Sequence, residues 1–121
     1  MPSRLIVSRD LAELLKLLAH SDRLRLIEEL RAGEKDVSGL AVALELPATR
    51  VSQHLSLLRA HRLVEERRHG RSHFYHLTNP RLADWILDAL PFVDIRTRLD
   101  DNDHIDTARA LWTAADSRSK H

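Results

Sequence analysis

The chain has 121 residues, enough for one domain with a core and too few for two. Its apolar content of 43%, its aromatic content of 4% and its three glycines favour a helical globular protein. Cysteine is absent, which excludes disulfides, thiolate metal sites and cysteine redox switches. No apolar run reaches the roughly 20 residues of a membrane span, and Arg4 and Arg9 bracket too short an apolar patch for a signal peptide. We therefore expect a cytoplasmic protein that contacts no membrane.

The net charge of +1 conceals an uneven distribution of charge along the chain. Arginine dominates residues 47–77, where only Glu65 and Glu66 are acidic, whereas aspartate dominates residues 80–106. A basic region followed by an acidic one is typical of a nucleic-acid-binding module with a flank that does not bind.

The first part of the chain predicts two amphipathic helices after a loose arm over residues 1–7. Ser8 can cap the first helix, over residues 9–19, and Ser21 can cap the second, which ends at Gly33. Their apolar positions recur at helical spacing. These positions are Leu11, Leu14, Leu15 and Leu18 in the first helix and Leu24, Ile27 and Leu30 in the second.

Residues 37–46 and 48–61 predict a helix-turn-helix pair, with Asp36 or Ser38 as the cap of its first helix. In the second helix Val51, Leu55 and Leu58 form an apolar stripe. The other face carries no carboxylate, which suits a surface that lies against phosphates and base edges. We predict that it contacts DNA through Thr49, Arg50, Ser52, Gln53, His54 and Ser56. The alternative is a plain helical hairpin.

Residues 65–77 predict two short strands with a turn at His69-Gly70. A basic hairpin directly after such a helix is typical of a wing, so we predict that Arg67, Arg68 and Arg71 contact phosphates. The wing would lie on the DNA backbone or enter the minor groove with its tip. The alternative is a solvated hairpin.

Asn79-Pro80 predicts the start of a fifth helix, which Pro91 should end or kink. Its apolar face suits pairing with a second subunit. The predicted dimer interface consists of Leu11, Leu14, Leu15, Leu82, Trp85, Ile86 and Leu90. The C-terminal extension, residues 94–121, predicts a last helix through Ile105, Ala108, Leu111, Trp112 and Ala115. Its Trp112 is either a dimer anchor or a cover for the core.

Three segments, residues 17–27, 51–59 and 67–75, resemble the signature segments of the ArsR/SmtB family. The resemblance covers roughly residues 10–90. It implies a mainly α winged helix-turn-helix with four helices, a β-hairpin wing and a fifth helix. It also implies a homodimer built by helices 9–19 and 80–90, and a repressor that leaves an operator near its own promoter when an effector binds. The resemblance further implies that Ser52, Gln53 and His54 of this chain reach the major groove.

The metal sites of the family do not carry over to this sequence. At the matching positions stand Asp36 and Ser38 for the thiolate site, and Asn79, Arg81, Phe92 and Ile95 for the fifth-helix site. Serine is a poor ligand, arginine is not deprotonated, and phenylalanine and isoleucine have no donor atom. We therefore expect no metal and no cofactor.

Two other groups of histidines are candidate metal sites. His104 with Asp100, Asp101, Asp103 and Asp106 could hold Zn²⁺, Ni²⁺ or Co²⁺, although a solvated acidic segment is the more common case. In the wing, His73 and His76 differ by an odd number of residues and should point to opposite faces of a strand, so they and His69 more often contact phosphates or solvent.

The predicted function is a sequence-specific repressor that binds double-stranded DNA as a homodimer. A metal-responsive repressor with a relocated His/Asp site and a protein-binding winged-helix module are the alternatives. No nucleophile–base pair, glycine-rich phosphate loop or convergent carboxylates can be assembled, so we do not expect an enzyme. The sequence names neither the operator nor an effector.

Overall fold

A computed structural model of the protein describes residues 2–97 and 109–110, and the elements within them are five helices and a small antiparallel sheet of three strands. The elements in chain order are α1 Pro2–Leu18, α2 Ser21–Arg31, β1 Lys35–Asp36, α3 Val37–Leu44, α4 Ala48–Ala60, β2 Val64–His69, β3 Ser72–Leu77 and α5 Arg81–Thr97. The predicted fold class, a mainly α winged helix-turn-helix, is confirmed. None of the helices in the described ranges is long and apolar enough to span a membrane.

The core lies where α2, α3 and α4 meet the base of the hairpin. Leucines and valines at helical spacing supply it, and burial of each such side chain stabilises the fold by about 1.5–3 kcal/mol relative to leaving it exposed. The largest fully buried side chains are Leu26, Ile27, Leu40, Val51, Leu55, Leu58 and Val64. This packing holds α4 firmly against the rest of the domain.

The sheet has the strand order β1-β3-β2. The predicted hairpin is confirmed: β2 and β3 pair from Val64↔Leu77 to His69↔Ser72, and Gly70 takes a positive φ of 63° in the turn, a conformation that favours glycine. The short strand β1, which pairs with β3 through Lys35↔Tyr75, was not predicted. Two residues are too few to show an alternating sequence pattern. They form a strand only because they pair with β3.

Hydrogen bonds cap both ends of α3, the first helix of the helix-turn-helix pair. Asp36, one of the two predicted caps, accepts the Gly39 N–H at 2.8 Å. At the other end Glu45 adopts the left-handed conformation, and the Leu46 N–H returns to the Ala41 carbonyl at 3.1 Å. This compact turn sets the direction of α4.

The N-terminal helix begins earlier than predicted. α1 starts at Pro2, so residues 2–7, expected as a loose arm, are helical. No glycine or internal proline interrupts this stretch, and Val7 extends the apolar stripe one turn before Leu11. The cap of α2 also differs, because His20 rather than Ser21 accepts the Asp22 N–H.

Of the two predicted effects of Pro91, an end or a kink, the structure excludes the end, because α5 continues to Thr97. Proline has no N–H to donate to the carbonyl four residues earlier, which is that of Leu87. Arg109 donates to this oxygen at 2.8 Å instead, so the carbonyl keeps a partner. Residues 94–97 thus belong to α5 and not to the C-terminal extension. Arg109 and Ala110 are helical, and the remainder of the predicted last helix lies outside the described residues.

Candidate DNA interface

The outward face of α4 is polar and free of carboxylates. The buried stripe of this helix is turned into the core, and five of the six α4 residues predicted to contact DNA are exposed on the other side. These five are Thr49, Arg50, Ser52, Gln53 and Ser56. They present one guanidinium, one amide and three hydroxyls, which are groups that hydrogen-bond phosphates and base edges.

The sixth residue, His54, does not lie on that face. Only 9% of it is exposed. The prediction was wrong because position 54 lies three residues after Val51 and four before Leu58, which is the spacing of the buried stripe itself. That spacing was available in the sequence. The prediction gave more weight to the polar side chain of histidine than to this spacing.

His54 packs instead against the start of α2. Its ring meets the His20 ring edge to face, with centroids 4.6 Å apart, and its Nδ1 accepts a hydrogen bond from Arg23 Nε at 3.4 Å. Burial, followed by the nearby His20 and Arg23, lowers the pKa of His54 below its usual value. The ring is therefore a neutral link between α2 and α4.

The wing presents its three predicted arginines in two directions. Cross-strand pairing puts Arg67 opposite Phe74 and Arg68 opposite His73, and neighbouring residues of a strand point to opposite faces. Arg67 is ion-paired with Glu34, in the connection between α2 and β1. Arg68 and Arg71 are exposed. Arg67 and Arg68 thus lie on opposite faces of the hairpin, although the side chain of Arg67 is exposed as well.

A second ion-pair group fastens the wing to α4. Arg59 in α4 donates to Glu66 in β2 at 2.6 Å, and Glu66 also pairs with His73 in β3. The hydrogen bond from His73, together with Arg59, lowers the pKa of the Glu66 carboxyl below its usual value. Because Arg68 is two residues from Glu66 on the same strand, it lies on the α4 side of the hairpin.

The remaining wing histidines follow the predicted geometry. His76 pairs with Glu65 at 3.1 Å, whereas His73 pairs with the adjacent Glu66. Consecutive glutamates lie on opposite faces of β2, so the two histidines also lie on opposite faces. His104 and the aspartates around it are outside the described residues.

Two of the positions that correspond to family metal ligands have structural roles in this chain. Asp36 caps α3, as described above, and Asn79 Oδ1 accepts the Arg81 N–H at 3.0 Å at the start of α5. Ser38 and Phe92 are exposed. The side chain of Ile95 lies outside the described part of the chain.

An apolar surface, formed by α1 and α5, lies away from α4 and the wing. A groove of about 300 Å³ runs between the two helices, and its lining includes Leu15, Trp85, Ile86 and Leu90. Of the predicted dimer residues, Leu11, Leu15 and Trp85 are exposed and Leu90 is half-buried. The other three are half-buried and pack against the core of the same chain, namely Leu14, Leu82 and Ile86.

The apolar surface is larger than the sequence predicted. Val93 of α5 also lines the groove, and Val7 of α1 continues the stripe of Leu11 and Leu15. Further exposed apolar side chains on the two helices are Leu5 and Ile6 in α1 and Phe92 in α5. Sequence reasoning missed them because it began α1 at residue 9 and ended α5 before Phe92. The apolar runs themselves were visible in the sequence.

Comparison with known proteins identifies the family to which the chain belongs. The family model described as "Bacterial regulatory protein, arsR family" matches residues 20–66, which run from the cap of α2 into β2. The transcriptional repressor PagR of Bacillus anthracis is 36% identical over 74 residues, covering 60% of this chain and 74% of PagR. The chain belongs to the ArsR family. Members of this family are regulatory proteins of bacteria, as the description of the family model states.

A second relative extends the match in sequence. The HTH-type transcriptional regulator KmtR of Mycobacterium tuberculosis is 38% identical over 78 residues, covering 64% of this chain and 60% of KmtR. The chain thus spans about three fifths of the length of the first curated relatives that it matches.

A solution structure from Mycobacterium bovis, a homodimeric winged helix-turn-helix DNA-binding domain, matches with a TM-score of 0.66 and 26% identity. The match covers 78% of this chain and 92% of that one. This ArsR-family chain therefore shares its fold with a domain that is a homodimer.

Proposed function

We propose that this protein is a transcriptional repressor that binds a specific double-stranded DNA operator as a homodimer. The observation that carries the proposal is the exposed, carboxylate-free face of α4, held in place by the buried side of the same helix. A rigid helix that presents an amide and hydroxyls can hydrogen-bond base edges in the major groove. The description of the relatives as repressors and regulators supports the same function.

Within this proposal Gln53 is the principal base-reading residue. It is exposed near the middle of α4, and glutamine can donate to and accept from one adenine at the same time. Arg50, Thr49 and the serines would contact the backbone or neighbouring bases. His54 would act indirectly, through the position of α4.

The wing contributes contacts with phosphates. Arg71 at the tip and Arg68 on the α4 side are exposed cations that can neutralise phosphates beside the recognition helix. Arg67, the third predicted contact, reaches DNA only if it leaves Glu34, so we assign it a smaller contribution.

The homodimer would be formed by the apolar surface of α1 and α5. Two copies related by a twofold axis would present two α4 helices to half-sites about 34–36 Å apart, one turn of DNA. The homodimeric state of the Mycobacterium bovis domain supports this assembly. The protein would act in the bacterial cytoplasm, where the chromosome lies, and we assign it no catalytic activity.

Selection of bound fragments from a random DNA pool tests this function. We expect an enriched site with two related half-sites, bound more tightly than unselected DNA by roughly 10³-fold or more at physiological salt. A chain with Gln53→Ala serves as the matched control and should enrich a degenerate site. Recovery of no common sequence by the natural chain would contradict the proposal.

A further inference from the structure

A group of potential metal ligands lies where the start of α2 meets α4. His20, Asp22 and His54 each offer one ligand atom, and these three atoms lie within 4.8 Å of one another. Nε2 of His54 is 3.7 Å from Oδ2 of Asp22. His20 is the N-cap of α2, Asp22 lies in its first turn and His54 belongs to α4, so the group bridges two separate elements.

One atom of this group lacks a partner. Nε2 of His54 is inaccessible to solvent and has no hydrogen-bond partner among the described residues, while the residue as a whole is 91% buried (9% exposed). A buried polar nitrogen without a partner is unfavourable, because it has lost water and gained nothing in return. A ligand that used this nitrogen would remove that penalty.

We propose that His20, Asp22 and His54 bind one divalent transition-metal ion of the Zn²⁺ and Co²⁺ class. Two imidazoles and one carboxylate are a donor set that these ions accept, and a water molecule would complete four-coordination on the half-buried His20 side. Ligands about 2.0–2.2 Å from a tetrahedral ion stand roughly 3.3 Å apart. The pair of His54 and Asp22 is already close to that spacing, and small side-chain rotations bring in His20.

Coordination changes the hydrogen bonds that the two imidazoles now make. Nδ1 of His20 accepts the Asp22 N–H at 3.1 Å, and Nδ1 of His54 accepts from Arg23 at 3.4 Å. Binding through Nε2 puts the ring proton on Nδ1, so both contacts are given up. Arg23 keeps its 2.7 Å bond to the Leu17 carbonyl and only its Nε must turn away.

The ion would tie α4 to the beginning of α2. His54 stands between Gln53 and Leu55, so coordination would act on the helix that carries the candidate DNA-reading residues. The site uses none of the residues that correspond to the fifth-helix ligands of the family. It is also distinct from the acidic segment around His104.

Titration of the full chain with Co²⁺ in the absence of DNA tests the site, so the result does not depend on the proposed repressor function. We expect one ion per chain, absorption bands of four-coordinate cobalt with nitrogen ligands, and displacement of Co²⁺ by Zn²⁺. Zn²⁺ should also raise the melting temperature, because it binds the native state.

Substitutions separate this site from other histidines of the chain. Asp22→Asn and His20→Gln should each weaken Co²⁺ binding at least tenfold and reduce the Zn²⁺-dependent rise in melting temperature. His69→Gln at the exposed wing tip is the matched control and should bind as the natural chain does. Circular dichroism of each variant without metal verifies that it is folded.

Two results would overturn the proposal. One is a titration without four-coordinate bands at any Co²⁺ concentration used. The other is binding that persists in Asp22→Asn and His20→Gln but disappears in His104→Asn, which would assign the ion to the acidic segment instead.

Discussion

α4 and α1 are both amphipathic helices, but the domain covers the apolar side of only one of them. Val51, Leu55 and Leu58 of α4 are fully buried. In α1 the only described side chains that are buried are Leu17 and Leu18, at its C-terminal end, and Val7 is 63% exposed. A single chain thus buries the apolar side of α4 completely, while it leaves apolar side chains of α1 and α5 exposed.

This difference separates two kinds of free energy. Contacts of α4 contribute to the stability of each chain, whereas in the proposed homodimer the exposed apolar side chains of α1 and α5 would contribute to association between chains. Substitutions in the two regions should therefore change different measured quantities.

Leu55→Ala should have the largest effect on the stability of the chain. The side chain is fully buried between α2, α3 and α4, and a truncation of this kind leaves a cavity. We expect the free energy of unfolding to fall by about 2–5 kcal/mol in urea denaturation. Val42→Ala, at a position that is 80% exposed, should change it by no more than about 0.5 kcal/mol. Equal losses of unfolding free energy in the two variants would contradict the assignment of Leu55 to the core.

Trp85→Glu should act on association. This side chain is 43% exposed and lines the groove between α1 and α5, so a partner would bury it. Loss of a buried aromatic anchor costs about 2 kcal/mol or more, which corresponds to roughly a 30-fold weaker dimer. Analytical ultracentrifugation over a range of concentrations measures the dissociation constant.

Val42→Glu is the control for Trp85→Glu, because it puts the same charge at an exposed apolar position outside the groove. It should leave the dimer intact. A natural chain that sediments as a monomer at every concentration would contradict the assignment of this surface to a dimer.

Gln53→Ala should change the specificity of DNA binding without affecting either stability or association. We expect a loss of about 1–3 kcal/mol on the selected site and a smaller loss on unrelated DNA. Arg71→Ala should instead weaken binding to all sequences alike and reduce the slope of log affinity against log salt by about 1. Fluorescence anisotropy at several salt concentrations distinguishes the two variants. If Arg71→Ala changed specificity and Gln53→Ala weakened binding to all sequences alike, the base contact would belong to Arg71 and the phosphate contact to Gln53.

The smallest effect should come from Glu66, which joins α4 to the wing. Its pKa is lowered in the folded chain, so the carboxylate stabilises the fold above its usual pKa, and this contribution is lost as the pH falls through the lowered value. The difference in unfolding free energy between the natural chain and Glu66→Gln should therefore be largest near neutral pH and shrink in acid. Urea denaturation across this pH range measures it. A difference that grows in acid would contradict the ion-pair assignment.

The sequence by itself determined the main elements and the face of α4 that is polar. Local patterns suffice for this, because apolar residues at helical spacing define a buried stripe and Gly70 permits the tight turn of the wing. The order of helices and hairpin was predicted correctly for the same reason. The apolar face of the fifth helix and the family resemblance both led to the expectation of a dimer.

Only the tertiary structure decided how individual polar side chains are used. Arg67 is turned to Glu34, 33 positions away in the chain, and His54 is packed against His20 and Asp22. β1 exists because β3 lies beside it, and α5 does not end at Pro91, where Arg109 reaches the Leu87 carbonyl. Each of these outcomes depends on a partner distant in sequence, and the periodicity of a single segment contains no information about such a partner.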